Sequence, residues 1–187
     1  MASQPITQKK LIVVLDSSYS MEQFDTLKLL LGVGKLVNAQ ENIGDLIIIK
    51  YSTKTEVVHR EKIEGGTPNL TVEKLDELYK IDGQTAMNDA FLMACDEAEK
   101  DKPESLTEGE THSIVIFITD GEENSSKEHR VGVVRERLNV TQRSGVTFLC
   151  MGIPLHIAQQ YGLPEGQCIE FTHTDRCMEN VWKSTTE

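Results

Sequence analysis

Four short apolar runs constrain this chain most: LIVVL at 11–15, LIIIKYS at 46–52, SIVIFIT at 113–119 and VTFLCMGI at 146–153. Uninterrupted β-branched runs of this length have no polar face. They predict strands buried on both sides, as in a parallel sheet covered by helices. CIEFT at 168–172 is a weaker sixth candidate. KTEVVHREKI at 54–63 is charged, roughly alternating, and separated from the preceding run by a tight polar stretch. It predicts an antiparallel edge strand, where charge blocks unwanted pairing.

Helical patterns fill the intervals. From Glu22 to Asn38, the residues Phe24, Leu27, Leu30, Leu31, Gly34 and Val37 form one apolar stripe. VEKLDELYK at 72–80 suits a short helix, and AMNDAFLMACDEAEK at 86–100 puts Met87, Phe91, Ala94 and Ala98 on one side. HRVGVVRERLNVTQ at 129–142 and DRCMENVWKS at 175–184 are further helices, and DKPESLTEGE at 101–110 is an acidic surface loop. Gly32 and Gly34 sit inside a helical pattern rather than between a strand and a helix start. Close helix–sheet packing therefore explains them better than phosphate binding. The alternation predicts one doubly wound α/β domain over residues 1–187, with a flexible segment at 1–9.

Composition excludes some functions. Acidic residues outnumber basic ones 30 to 19, a net charge of −11, so the chain lacks the basic balance needed to neutralise nucleic acid phosphates. No apolar stretch approaches the roughly 20 residues of a bilayer span. MASQPITQKK has no secretory apolar core. Cys95 and Cys150 fall in buried patterns, and Cys168, His173 and Cys177 match no zinc spacing. Reduced thiols and a cytoplasmic location are expected.

Three separated segments gather hard oxygen groups. DSSYS places Asp16, Ser18 and Ser20 at the end of the first strand. DGQTAMNDA puts Thr85 just before a helix. FITDGEENSS sets Asp120 directly after the most apolar strand. All three belong at the carboxyl edge of the sheet, where ligands bind in open α/β folds. Two aspartates brought together there repel unless a proton or a cation separates them. Three hydroxyls and two carboxylates make an oxygen donor set suited to Mg²⁺. Neutral hydroxyls leave such an ion under-neutralised, so it attracts a further anionic oxygen.

These residues resemble the von Willebrand factor type A family and its metal-ion-dependent adhesion site, written Asp-x-Ser-x-Ser, then a distant Thr, then a distant Asp. The likeness is closest to compact bacterial or phage single-domain members. It implies strand order 3-2-1-4-5-6 with one antiparallel edge strand. It implies Mg²⁺ or Mn²⁺ held by Ser18, Ser20 and Thr85, with Asp16 and Asp120 direct or through water. It also implies a sixth ligand from an Asp or Glu of a partner protein, and possible membership of a larger assembly. Asp89, one helical turn after Thr85, is placed to orient a ligand. Tyr19 departs from the Gly usual between the two serines; it either rims the site or packs outward. Glu122 and Glu123 are either recognition residues or a solvated acidic loop.

Other readings remain open. A Rossmannoid phosphohydrolase also ends its first strand in Asp, but the haloacid-dehalogenase type needs a second Asp where Ser18 stands. No G-x-S-x-G marks a serine hydrolase. His129 is the one histidine near the site, at a helix start. A scaffold domain with a degenerate metal site is the remaining alternative. No catalysis is expected.

Overall fold

The computed structural model describes residues 8–103, 106, 110–121, 123 and 130–169. The predicted helix at 175–184, together with Glu122, His129, His173 and Cys177, lies outside them.

Six strands form one sheet: β1 (Lys9–Asp16), β2 (Ile43–Tyr51), β3 (Thr55–Lys62), β4 (Ser113–Ile118), β5 (Val146–Met151) and β6 (Cys168–Ile169). Their order is β3-β2-β1-β4-β5-β6. The β2–β3 pair is antiparallel and the other pairs are parallel. This is the doubly wound arrangement expected, with KTEVVHREKI as the antiparallel edge.

Among the described residues five helices cover the sheet: α1 (Thr26–Asn38), α2 (Val72–Leu78), α3 (Met87–Glu99), α4 (Val131–Arg143) and α5 (Leu155–Gln160). The strand period of two divides the core. Leu11, Val13 and Leu15 pack with α1 and α2 on one face. Ile12 and Val14 pack with α3, α4 and α5 on the other. Phe91 of α3 stacks on Phe117 of β4 with ring centroids 4.0 Å apart and lies 4.9 Å from Tyr161. The predicted apolar side of α3 is buried throughout.

The first helix departs from expectation. Tyr19–Gln23 is a 3-10 turn, and α1 begins only at Thr26, capped by Asp25, whose carboxylate accepts from the Lys28 amide at 3.2 Å. Ser20 therefore lies inside the turn. The shifted start also rotates the buried face: Leu29, Val33 and Leu36 go inward, while Leu27 is 60% exposed and Leu31 41% exposed. Gly34 meets the Leu70 carbonyl and Leu75, so its closeness serves the contact with α2 and the loop before it, not the sheet.

At the opposite end of the sheet from the oxygen cluster, α3 is bolted to the β3 edge. Glu97 is buried, accepts both terminal nitrogens of Arg60 at 2.7 and 2.8 Å, and accepts Lys100 Nζ at 2.6 Å. The Arg60 hydrogen bonds hold its carboxyl at about 2, against an ordinary value of 4.5. A depressed acid stabilises the fold fully above its unfolded value and loses that contribution as pH falls through the folded one. Glu97→Gln is therefore expected to cost about 1–3 kcal/mol at pH 7, discounted for the half-exposed Arg60. Urea unfolding should show wild type and variant converging between pH 4.5 and about 2. A gap independent of pH would refute the assignment.

Candidate metal centre

β1 and β4 are adjacent, and they are where the connections diverge to opposite sides of the sheet. That switch point leaves a crevice at the strands' carboxyl ends. Asp16 closes β1 there, and Thr119 and Asp120 follow β4.

Asp16 is fully buried, and its carboxylate is tied down at both oxygens. Oδ1 accepts the Ser18 amide at 2.9 Å; Oδ2 accepts Thr119 Oγ1 at 2.6 Å and the Tyr51 hydroxyl at 3.3 Å. The Tyr79 hydroxyl donates to the Asp16 backbone carbonyl at 2.7 Å. Burial pushes the Asp16 carboxyl above its ordinary value, and the Asp120 charge adds to this, against hydrogen bonds from Ser18 and Thr119. A carboxylate held charged in so dry a place gains strongly from a nearby cation.

From Asp16 the oxygens run outward in a chain. Ser18 Oγ lies 3.0 Å from Ser20 Oγ, which donates to Asp120 Oδ1 at 2.8 Å. Gln23 Nε2 donates to Asp120 Oδ2 at 2.6 Å. Ser18 is buried and Ser20 exposed, so the chain leads from core to surface. Thr85 is buried just before α3. A Cβ built on Gly121 would come within 3.7 Å of Asp16 Oδ2 and 3.8 Å of the Thr85 methyl. Gly121 thus marks the point where all three predicted segments meet. Asp16, Ser18, Ser20, Thr85 and Asp120, which span more than a hundred residues of chain, stand around one crevice.

The Ser18–Ser20 and Ser20–Asp120 separations of 3.0 and 2.8 Å are those of O–H···O hydrogen bonds. Among the described residues no three His, Cys, Asp or Glu side chains form a metal cluster. The donor set here is mainly hydroxyl, with two carboxylates.

Several participants escaped the sequence reading. Thr119, Tyr51 and Tyr79 hold Asp16, and Gln23 holds Asp120. Thr119 alone left a signal, as a buried hydroxyl beside Asp120. Glu123 accepts the Asn88 amide in the first turn of α3 at 2.7 Å, and Tyr161 donates to Asn88 Oδ1 at 2.6 Å. This couples the loop after β4 to the helix that follows Thr85. Tyr19 is 61% exposed, its amide donating to the Gly83 carbonyl at 3.0 Å, so its ring points away from the core. Asp89 is partly buried in the first turn of α3.

The fold has many solved counterparts. Proximal thread matrix protein 1 from the mussel byssus superposes with a TM-score of 0.66 at 15% identity, over 96% of this chain and 47% of that one. The manganese-loaded Plasmodium vivax TRAP protein gives 0.63 at 17%, over 97% and 72%. BatB from Bacteroides thetaiotaomicron gives 0.58 at 15%, over 95% and 98%. The chain spans about half the length of the mussel protein. Another structure of that protein carries a zinc-occupied metal-ion-dependent adhesion motif. No curated protein matches. Among the described residues no helix is long and apolar enough to cross a membrane. The von Willebrand factor type A domain profile matches residues 10–167. Domains of that kind are characteristically non-catalytic interaction modules. The chain belongs to the von Willebrand factor type A domain family.

Proposed function

We propose that the crevice binds Mg²⁺ or Mn²⁺ and uses it to capture an Asp or Glu carboxylate of a partner protein. The observation that carries this reading is the hydrogen-bonded oxygen chain Ser18–Ser20–Asp120 beside the buried Asp16 and Thr85. The zinc-occupied motif of the mussel protein and the manganese-loaded Plasmodium protein support it by analogy.

Ser18, Ser20 and Thr85 would hold the ion directly, and Asp16 and Asp120 directly or through water. Bound there, the ion would supply an electrophilic centre that attracts the partner's carboxylate. The chain's own residues do the rest. Thr119, Tyr51 and the Ser18 amide fix the Asp16 carboxylate so that it cannot swing. Gln23 and Ser20 orient Asp120. Tyr19 stands at the exposed rim, where an aromatic side chain adds contact area to an interface. The free thiols Cys95, Cys150 and Cys168 fit a reducing, cytoplasmic setting.

The test is calorimetric titration of Mg²⁺ and Mn²⁺ into chelator-treated protein, beside Thr85→Ala. One-site binding weakened about 10–100-fold in the variant is expected. Equal binding by both proteins, or none by wild type at millimolar metal, would sink the reading.

A further inference from the structure

Two of the three described thiols face each other. Cys150 lies on β5 and Cys168 on β6, and they are direct partners in the parallel ladder. Adjacent strands are about 4.8 Å apart, inside the roughly 4.4–6.8 Å between α-carbons that a disulfide accepts. Cys150 is buried, whereas Cys168 is partly exposed on the last described strand. β6 has two described residues, Cys168 and Ile169, and Gly152 donates its amide to the Ile169 carbonyl at 2.6 Å. Among the described residues β6 is the outermost strand and pairs on one side only, so it can adjust its backbone by the few tenths of an ångström that bond formation needs more easily than a central strand.

We propose that Cys150 and Cys168 form an oxidation-sensitive dithiol, closed to a cross-strand disulfide by a peroxide. Cys168 is the attacking thiol because solvent reaches it. The hydrogen bond from Cys150 pulls the Cys168 thiol below its ordinary value, and that bond together with burial pushes Cys150 up. The Cys168 thiolate attacks one oxygen of hydrogen peroxide. The O–O bond breaks, Cys168 becomes a sulfenic acid, and the departing hydroxide takes up the proton the thiol gave up, leaving as water. The Cys150 sulfur then attacks Cys168 sulfur, the S–O bond breaks, and the hydroxide leaves with the Cys150 proton as a second water. Two thiols are oxidised by two electrons and one peroxide is reduced to two waters. Because neighbouring parallel strands hold the sulfurs in a constrained geometry, the bond is expected to reduce readily.

Cys95 provides an internal contrast. It is buried in α3 and burial pushes its thiol up to about 11, so it should stay reduced. The consequence of closure lies at the carboxyl end of β5. β5 also receives the Thr119 amide at the Met151 carbonyl at 3.0 Å, directly before the oxygen cluster. Pinning β6 to β5 therefore stiffens the strand end next to the metal crevice.

The experiment uses the reduced full chain, treated with stoichiometric hydrogen peroxide at pH 7 and mapped by mass spectrometry without reduction. A Cys150–Cys168 cross-linked peptide, loss of two titratable thiols per chain and full recovery with dithiothreitol are expected. Cys168→Ser should abolish the cross-link, and Cys95→Ser and Cys177→Ser should leave it. Hydrogen exchange at Gly152 should slow in the oxidised form by about tenfold or more. Cys168→Ser changes a partly exposed residue, so it separates failure to fold from failure to cross-link. A Cys168–Cys177 bridge, or Cys168 oxidised to sulfinic acid with Cys150 still a free thiol, would overturn the proposal.

Discussion

Asp16→Asn is expected to reduce Mg²⁺ affinity by about 100-fold or more in calorimetry, while the metal-free protein melts no lower than wild type. The substitution keeps shape and removes charge. In the absence of an ion that charge is a burden: Asp16 is fully buried and its carboxyl is already pushed up by burial and by Asp120. With metal present the same charge becomes the main attraction. The two proteins should therefore separate only when metal is added. Mg²⁺ at a hundred times its dissociation constant stabilises a one-site protein by about 2.7 kcal/mol. Wild type should show that gain in urea unfolding and Asp16→Asn should not. A variant equally stabilised by metal would remove Asp16 from the site. A variant that unfolds without metal would mean that the charge itself is structural.

Phe91→Ala should cost about 3–5 kcal/mol in the same unfolding measurement, the largest stability effect expected of a single truncation here. Phe91 is fully buried, stacked on Phe117 at 4.0 Å and tilted against Tyr161 at 4.9 Å. It joins α3 to β4 and to the end of α5. The cavity left behind is walled by the sheet, which cannot collapse into it. Phe91→Leu should recover more than half of the loss, because most of the volume returns. A loss below about 1 kcal/mol for Phe91→Ala would show that this side of the sheet repacks freely.

Strands were far more legible in the sequence than helix boundaries. A run such as LIVVL has no polar face, so its burial on both sides and hence its place in the middle of a sheet follow from composition alone. The edge strand announced itself by charge. The start of α1 was misread because helical periodicity alone does not say where a helix begins. Phe24 and Leu27 fit the stripe, yet Asp25 caps the helix and the turn Tyr19–Gln23 precedes it. α5 went unseen because a six-residue helix is too short for a period to repeat. The residues of the crevice were legible as a set, through Asp-x-Ser-x-Ser, Thr85 and Asp120. Their support was not. Tyr51, Tyr79 and Gln23 reach the site through pairing register and chain crossing, and neither is written locally.

The central pairing of β1 with β4 joins the two ends of a long loop: Asp16 meets Thr119 across 103 positions, and Ser20 meets Asp120 across 100. Contacts so remote in sequence form late and slowly, since the chain must close that loop before it gains from them. During synthesis, β1 emerges long before its partner exists. Until β4 is released the strand LIVVL has one exposed edge, and the crevice has its serines but lacks Asp120. A nascent or truncated chain ending before residue 113 would thus be adhesive in an unintended way, through bare strand edges rather than through a metal. Competence to hold the ion would appear at once, when the middle of the sheet closes.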